Sequence, residues 1–398
     1  MLALAAAFLA VAAVAAAPAS ALTLSQRLDR ALTVGSVSRA ATGAYAIDLR
    51  TGRVVYRLHD LQSLQPASNQ KLTVAVAALG RLGAGYRIPT QVLGEGAQNG
   101  PDWQGRLILK GFGDPTVSAG DLRNLAGKIR LRGITHVTGR VIGDESYYDR
   151  RRTGPGWKPS FYKIESPPLS ALVVGRAKVN GHMVDNPALA AARAFRAALR
   201  DAGITIGGKA AVGRAAGTTT TLAAVKSRTL ARLVLKMNKM SDNFTAEMLM
   251  KHLGAQFRDK GTTAAGASVV RAELKSRGVP LAGVRIADGS GLSLLGRLTA
   301  RGVGRLLVSA YGDPAVGPAL VASLPIAGVD GTLEDRMRTG PARRRVRAKT
   351  GTTATASSLS GYVGTRYVFS ILQNGHPIAW SNARKAQDRF ARVLAGAL

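Results

Sequence analysis

Three short segments set the strongest constraint on this chain: Ser68-Asn69-Gln70-Lys71, Ser241-Asp242-Asn243 and Lys349-Thr350-Gly351. If they act together, the fold must bring into one place residues that lie 173 and 108 positions apart. A lysine three residues after a serine falls one turn along the same helix face, so hydroxyl and amine can touch. A serine hydroxyl is a weak nucleophile and needs such a base within reach. Ser241 and Asn243 add a hydroxyl and an amide suited to proton relay and positioning, and Lys349 adds a cation on an edge strand. The trio implies acyl transfer through a serine, with no histidine, metal or organic cofactor required.

Local context separates these segments from chance matches. Ser160-Phe161-Tyr162-Lys163 has the same spacing, but it follows Pro159 and runs into Ser166-Pro167-Pro168, which reads as loop. Ser68 instead opens the apolar run Leu72 to Leu79, closed by Gly80. This predicts a short buried helix with a glycine stop, its first amides facing the serine. Arg-Thr-Gly occurs at Arg50, Arg152 and Arg338, each reading as a turn. Val346 to Thr352 alternates as a strand, followed by two more over 359–363 and 367–372.

The long first interval predicts an insertion, placed at 93–222. Its alternating segments Gln104–Lys110 and Val137–Gly143 read as strands and Asn186–Ala202 as a helix, which gives a β-rich accessory region. The flanks 22–92 and 223–398 then form an α/β catalytic domain. It would hold a hairpin from Tyr45–Leu49 to Val54–Tyr56, the Ser68 helix, a helical region around Ser241, the C-terminal strands, and a last helix over 379–397.

Residues 1–17 carry no charge, and Ala19-Ser20-Ala21 fits a signal-peptidase site, so 1–21 reads as a leader cleaved after Ala21 and the protein as exported, outside the cytoplasm. An uncleaved anchor is the alternative, at the lower limit of a membrane span. No basic segment precedes the apolar run, which places Met1 inside a longer leader. The absence of cysteine excludes a disulfide scaffold and a thiolate metal site. Net charge is +32, from 55 Lys and Arg against 23 Asp and Glu, and such a field attracts polyanions. Only 5% of residues are aromatic, and no nucleic-acid motif accompanies the runs Arg150-Arg151-Arg152 and Arg343-Arg344-Arg345, which argues against nucleic acid. For an exported chain the partners to expect are anionic cell-wall polymers or an anionic membrane surface. Dispersed, solvated arginines are the alternative.

Pro66–Lys71, Ser241–Phe244, Asp288-Gly289-Ser290-Gly291-Leu292-Ser293, Leu324–Leu333 and Lys349–Thr352 resemble the D-alanyl-D-alanine carboxypeptidase/endopeptidase family, the class C low-molecular-mass penicillin-binding proteins. Gly111–Pro115 and Pro168–Leu172 extend the resemblance through the middle of the chain. It implies a serine β-lactamase/transpeptidase-like catalytic domain with a domain inserted after the nucleophile helix. It also implies action on peptidoglycan stem peptides through an acyl-enzyme, with β-lactams as inhibitors.

On this resemblance Ser68 is the nucleophile and Lys71 its base, neutral part of the time because burial and the neighbouring Lys349 lower its pKa. Ser241 relays the proton to the leaving amine, and Asn243 orients Lys71 and the substrate amide. Lys349 and Thr350 face the terminal carboxylate beside Gly351, and the amides of Ser68 and Thr352 form the oxyanion hole. Asp144 is implied as a contact for the stem-peptide amine, with a turn residue as the alternative. Where the family commonly carries an arginine, this chain has Leu294, with Arg297 as the candidate replacement. A serine β-lactamase would need a glutamate in a Glu-x-x-Leu-Asn setting, and Glu247, Glu273 and Glu334 all lack it. A catalytically inactive peptidoglycan-binding relative would need a damaged triplet, and this one is intact.

Overall fold

The computed structural model describes residues 22–398, so the leader expected over 1–21 lies outside the described residues. Two sheets organise the chain. The first has five antiparallel strands in the order Val346–Thr352, Ala356–Val363, Tyr367–Asn374, Thr42–Asp48, Val54–Leu58. The N-terminal hairpin thus closes against the C-terminal meander, with Tyr45 opposite Ser370. Strands 42–48 and 356–363 are buried at every position, because helices cover both faces of the sheet.

Helices Leu24–Leu32 and Trp380–Ala395 cover one face, where the Phe390 ring packs 5.4 Å from that of Tyr56 and 6.2 Å from that of Phe369. Helix Ala300–Tyr311 lies on the other face. Gly304 brings it close, since a Cβ there would stand 2.5 Å from the Tyr45 ring. Behind it pack helices Gln70–Leu82, Leu230–Lys239, Asn243–Arg258, Thr263–Ser276 and Gly317–Ser323, which share one apolar core with that face of the sheet.

The serine helix is longer than its sequence signals. It passes through Gly80 and ends at Gly83, whose φ of +83° is the left-handed geometry a glycine stop supplies. Gly80 has a different task. A Cβ there would lie 2.7 Å from Arg277 Nη2 and 2.8 Å from Glu273 Oε1, so this glycine lets the helix cross the Glu273–Arg277 ion pair.

The second sheet has seven strands and spans Pro89 to Lys226, starting before position 93 and ending beyond 222. Its main path runs Ala211–Val212, Val141–Asp144, Asp102–Gly111, Pro89–Asn99, Thr220–Lys226. The stretch 137–143, which alternates like one strand, is broken. Val137 pairs beside Trp103 and Val141 beside Leu107, and between them Gly139 crosses so close to the Gly105 carbonyl that a Cβ would sit 2.4 Å from its oxygen. Helices Ala119–Leu131 and Pro187–Asp201 pack on this sheet around Phe195 and Leu125. The second starts where the sequence places it, with Asn186 accepting from the Leu189 amide at 3.0 Å. The first is opened by a Ser118–Asp121 capping box that the sequence reading passes over.

Phe390 holds the C-terminal helix to the sheet. Phe390→Ala is expected to lower stability by about 3–5 kcal/mol in equilibrium urea unfolding. Arg389→Ala, on the exposed side of the same helix, should stay within about 0.5 kcal/mol of wild type.

Candidate active site

Ser68 sits in the 3₁₀ turn Ala67–Asn69 that leads into the helix Gln70–Leu82. Ala67 before it has φ +46° and Ser241 has φ +54°, so a non-glycine residue in the left-handed region stands next to Ser68 and another at Ser241 itself. Lys71, fully buried, reaches back along the turn and places Nζ 2.8 Å from Ser68 Oγ. The same nitrogen lies 2.7 Å from Asn243 Oδ1 and 2.7 Å from the Ser290 carbonyl oxygen. Those two oxygens can only accept. A neutral amine therefore gives them its two N–H groups and keeps its lone pair directed at the serine hydroxyl.

The Asp288–Ser293 loop fixes the Ser290 carbonyl. Asp288 accepts from the amides of Gly291 (3.0 Å) and Ser293 (2.8 Å) and from Trp157 Nε1 (2.9 Å). Buried Glu247 accepts from the amides of Gly289 (3.0 Å) and Ser290 (2.8 Å). Gly291, with φ +84°, meets the Ala67 carbonyl so closely that a Cβ would stand 1.9 Å from its oxygen. The loop thus seats directly on the residue before the serine.

Burial pushes the Lys71 amine down to about 8, against the opposing pull of Asp288 and Glu247. Burial, then the charge of Asp288, lifts the Glu247 carboxyl to about 8. Lys349 is also fully buried, and burial followed by repulsion from Lys71 holds it well below the ordinary lysine range. The like-charge effect expected at Lys71 thus falls on Lys349.

Ser241 ends the turn before helix Asn243–Arg258, and its Oγ lies 2.9 Å from Lys349 Nζ. Asp242 caps that helix and receives both guanidinium nitrogens of Arg176, at 2.7 and 3.0 Å. Burial would raise the Asp242 carboxyl, but this pair holds it below the usual range. Asn243 Nδ2 donates to the Glu165 carbonyl at 2.9 Å.

The strand Val346–Thr352 brings the third segment in. Lys349 Nζ also donates to the Thr350 carbonyl at 2.8 Å, and Thr350 Oγ1 donates to Thr332 Oγ1 at 2.7 Å. At Gly351 the strand touches the serine turn, where a Cβ would stand 2.9 Å from the Ser68 nitrogen and 2.2 Å from Ser358 Oγ. The result is a pocket of about 490 Å³ lined by Ser68, Ser241, Asn243, Thr350, Gly351 and Thr352. Lys71 and Lys349 lie immediately behind its wall. Leu292, from the segment Asp288–Ser293, lines it too, as do Glu165, Arg336 and Arg384, which sequence reasoning missed. For Arg384, its place on the helix that closes the C-terminal sheet was the available signal.

Other residues singled out in the sequence lie elsewhere. Asp144 is buried at the end of strand Val141–Asp144 and accepts from the amides of Ser146 (2.8 Å) and Ala215 (3.2 Å), so it holds a turn and does not line this pocket. Ser160 is exposed, and Lys163 Nζ is 2.7 Å from Asp185. Arg297 does not line this pocket, and its Nη1 donates to the carbonyls of Leu294 (2.7 Å) and Gly296 (2.8 Å). Among the described residues no group of three or more His, Asp or Glu could hold a metal ion.

Fold and pocket together define the transpeptidase-like class. The chain belongs to the D-Ala-D-Ala carboxypeptidase 3 (S13) family, which it matches over residues 24–184 and 175–396. It is 31% identical over 437 aligned residues to a D-alanyl-D-alanine carboxypeptidase of Actinomadura sp. (strain R39), covering 89% of this chain and 81% of that protein. A carboxypeptidase of Mycobacterium tuberculosis is 32% identical over 378 residues, covering 87% of this chain and 78% of the other. In fold, the chain is similar to the crystal structure of penicillin binding protein 4 from Haemophilus influenzae, with a TM-score of 0.82, 23% identity, and 95% and 99% of the two chains covered.

Gly351 tests the packing of strand on serine turn. Gly351→Ala should slow labelling of the protein by penicillin more than about 100-fold, the loss expected when an oxyanion donor is displaced. Circular dichroism should show the fold retained.

Proposed function

We propose that the chain is a serine D-Ala-D-Ala carboxypeptidase/endopeptidase that acts on peptidoglycan stem peptides through an acyl-enzyme and is acylated by β-lactams. The supporting observation is Lys71 Nζ, buried among Ser68 Oγ, Asn243 Oδ1 and the Ser290 carbonyl at 2.7–2.8 Å. Ser68 Oγ adds to the carbonyl carbon of the penultimate D-alanine while its proton passes to Lys71. The developing oxyanion is held by the amides of Ser68 and Thr352, each worth about 3 kcal/mol. Collapse breaks the C–N bond; Ser241, bonded to Lys349, gives its proton to the leaving amine and takes up in its place the proton that Ser68 passed to Lys71. Water then hydrolyses the Ser68 ester. Lys349 has no carboxylate partner among the described residues, and a substrate carboxylate facing Lys349 and Thr350 would favour its protonated form.

Penicillin should add covalently to Ser68, read by mass spectrometry. Ser68→Ala should not label, and Ser160→Ala should label normally. An adduct elsewhere would refute the assignment. If Lys71 is the base, acylation must rise with pH, because below about 8 its lone pair is taken up by a proton. The second-order rate constant should climb about tenfold per unit toward that value and then level off. A flat profile would remove Lys71 from the role. Rapid hydrolysis of the penicilloyl ester would instead favour a β-lactamase. Failure of an intact fold to label at all would favour an inactive peptidoglycan-binding relative.

The apolar start and the excess of basic residues are read as export, with the leader removed after Ala21, and attraction to anionic cell-wall polymers or a membrane surface. No helix among the described residues is long and apolar enough to cross a membrane. Binding to isolated cell envelopes should fall steeply as salt exceeds physiological strength, where screening acts within about 8 Å. Hydrolysis of a small peptide should change much less. Salt-indifferent binding would favour dispersed arginines without a partner.

A further inference from the structure

Two arginines line the wall of the pocket beyond Thr352, and they are not equivalent. Arg336 is engaged, with Nη2 2.6 Å from Asp388 Oδ1 and 3.1 Å from Gln387 Oε1. Arg384 is one turn before Asp388 on the helix Trp380–Ala395, and its guanidinium forms no ion pair among the described residues. Its polar contact is Thr352 Oγ1, at 3.4 Å from Nη2. Thr350 and Thr352 are two positions apart on one strand, so their side chains leave the same face. That face carries two hydroxyls, of which Thr350 Oγ1 donates to Thr332 Oγ1, beside a guanidinium with no carboxylate partner among the described residues. Asp335, the acidic group on the same wall, is 90% exposed and faces Arg338 at 3.8 Å.

We propose that Arg384 is a specificity-determining residue that binds the free carboxylate of the leaving amino acid together with Thr350 and Thr352. This deepens the reading of Ser68 as an acylated serine and rests on it. Lys349 cannot do the task alone. It is fully buried, and its Nζ is already shared between Ser241 Oγ and the Thr350 carbonyl. A guanidinium on the open side of the strand offers a planar pair of donors that a carboxylate matches. It is always charged, so this contact does not depend on how the two buried lysines share protons. The preference would be for leaving groups that end in a carboxylate over those whose carboxyl is amidated.

The test compares a pentapeptide ending in free D-Ala-D-Ala with its C-terminal amide, and penicillin with its methyl ester, on wild type, Arg384→Ala and Arg384→Lys. Arg384→Ala should lose about tenfold or more in kcat/KM or acylation rate on the free acids, the worth of one charge-assisted contact. It should stay within about threefold on the amide and ester. Arg384→Lys should recover part of the loss. Equal losses on acid and amide, or no loss on the acid, would overturn the proposal. If wild type takes penicillin on Ser68 yet discrimination survives in Arg384→Ala, the inference alone fails. If wild type is not acylated at Ser68, the functional reading fails first.

Discussion

Everything at the site depends on one buried amine. Lys71 Nζ touches a hydroxyl on its own turn, an amide oxygen from the start of helix Asn243–Arg258, and a carbonyl from the loop at Asp288–Ser293. Those segments come from three separate parts of the chain. An ammonium buried this fully is costly unless compensated. Its acceptors and the nearby Asp288 and Glu247 set how costly, which places the amine near 8, where it can gain or lose a proton. If any of the three partners moved, the amine would lose either its orientation or its charge balance.

That requirement explains how much structure is devoted to the Asp288–Ser293 loop. Glu247 lies one turn beyond Asn243 on the same helix, so the element that presents one acceptor to Lys71 also anchors the loop that presents another. Both glycines of the loop are places where backbone meets backbone. A Cβ at Gly289 would stand 2.5 Å from the Ala246 carbonyl oxygen, and one at Gly291 would meet Ala67. The motif therefore reads as packing against the Ser68 turn, with Asp288 holding the loop's own amides and the Trp157 indole.

The sequence between Pro89 and Lys226 is more than an appendage. Its segments reach the catalytic side through Trp157 to Asp288, Glu165 to Asn243 and Arg176 to Asp242. Each contact falls on or beside a residue that holds the centre, so the accessory region braces the second motif and supplies part of the pocket wall. The C-terminal part of the chain adds Arg336 and Arg384 to the same lining.

The sequence by itself determined the chemical triplet, the strand that carries Lys349, the C-terminal meander and helix, and the need for a long insertion. These rest on local spacing: i to i+3 on a helix, alternation on a strand, and turn residues between. Gly80 as a helix stop and the unbroken strand over 137–143 went astray, and Asp144 takes the turn role that the sequence left as its alternative, because in each case a distant partner decides the outcome. The Glu273–Arg277 pair lies at Gly80, the Gly105 carbonyl at Gly139, and the Ala215 amide at Asp144. Only the tertiary structure could show Glu165, Arg336 and Arg384 at the pocket, or distinguish an arginine paired with a carboxylate from one that is not. Spacing along the chain records which side chains share a face of one element. It does not record which faces meet, because that is settled by packing between elements far apart in sequence.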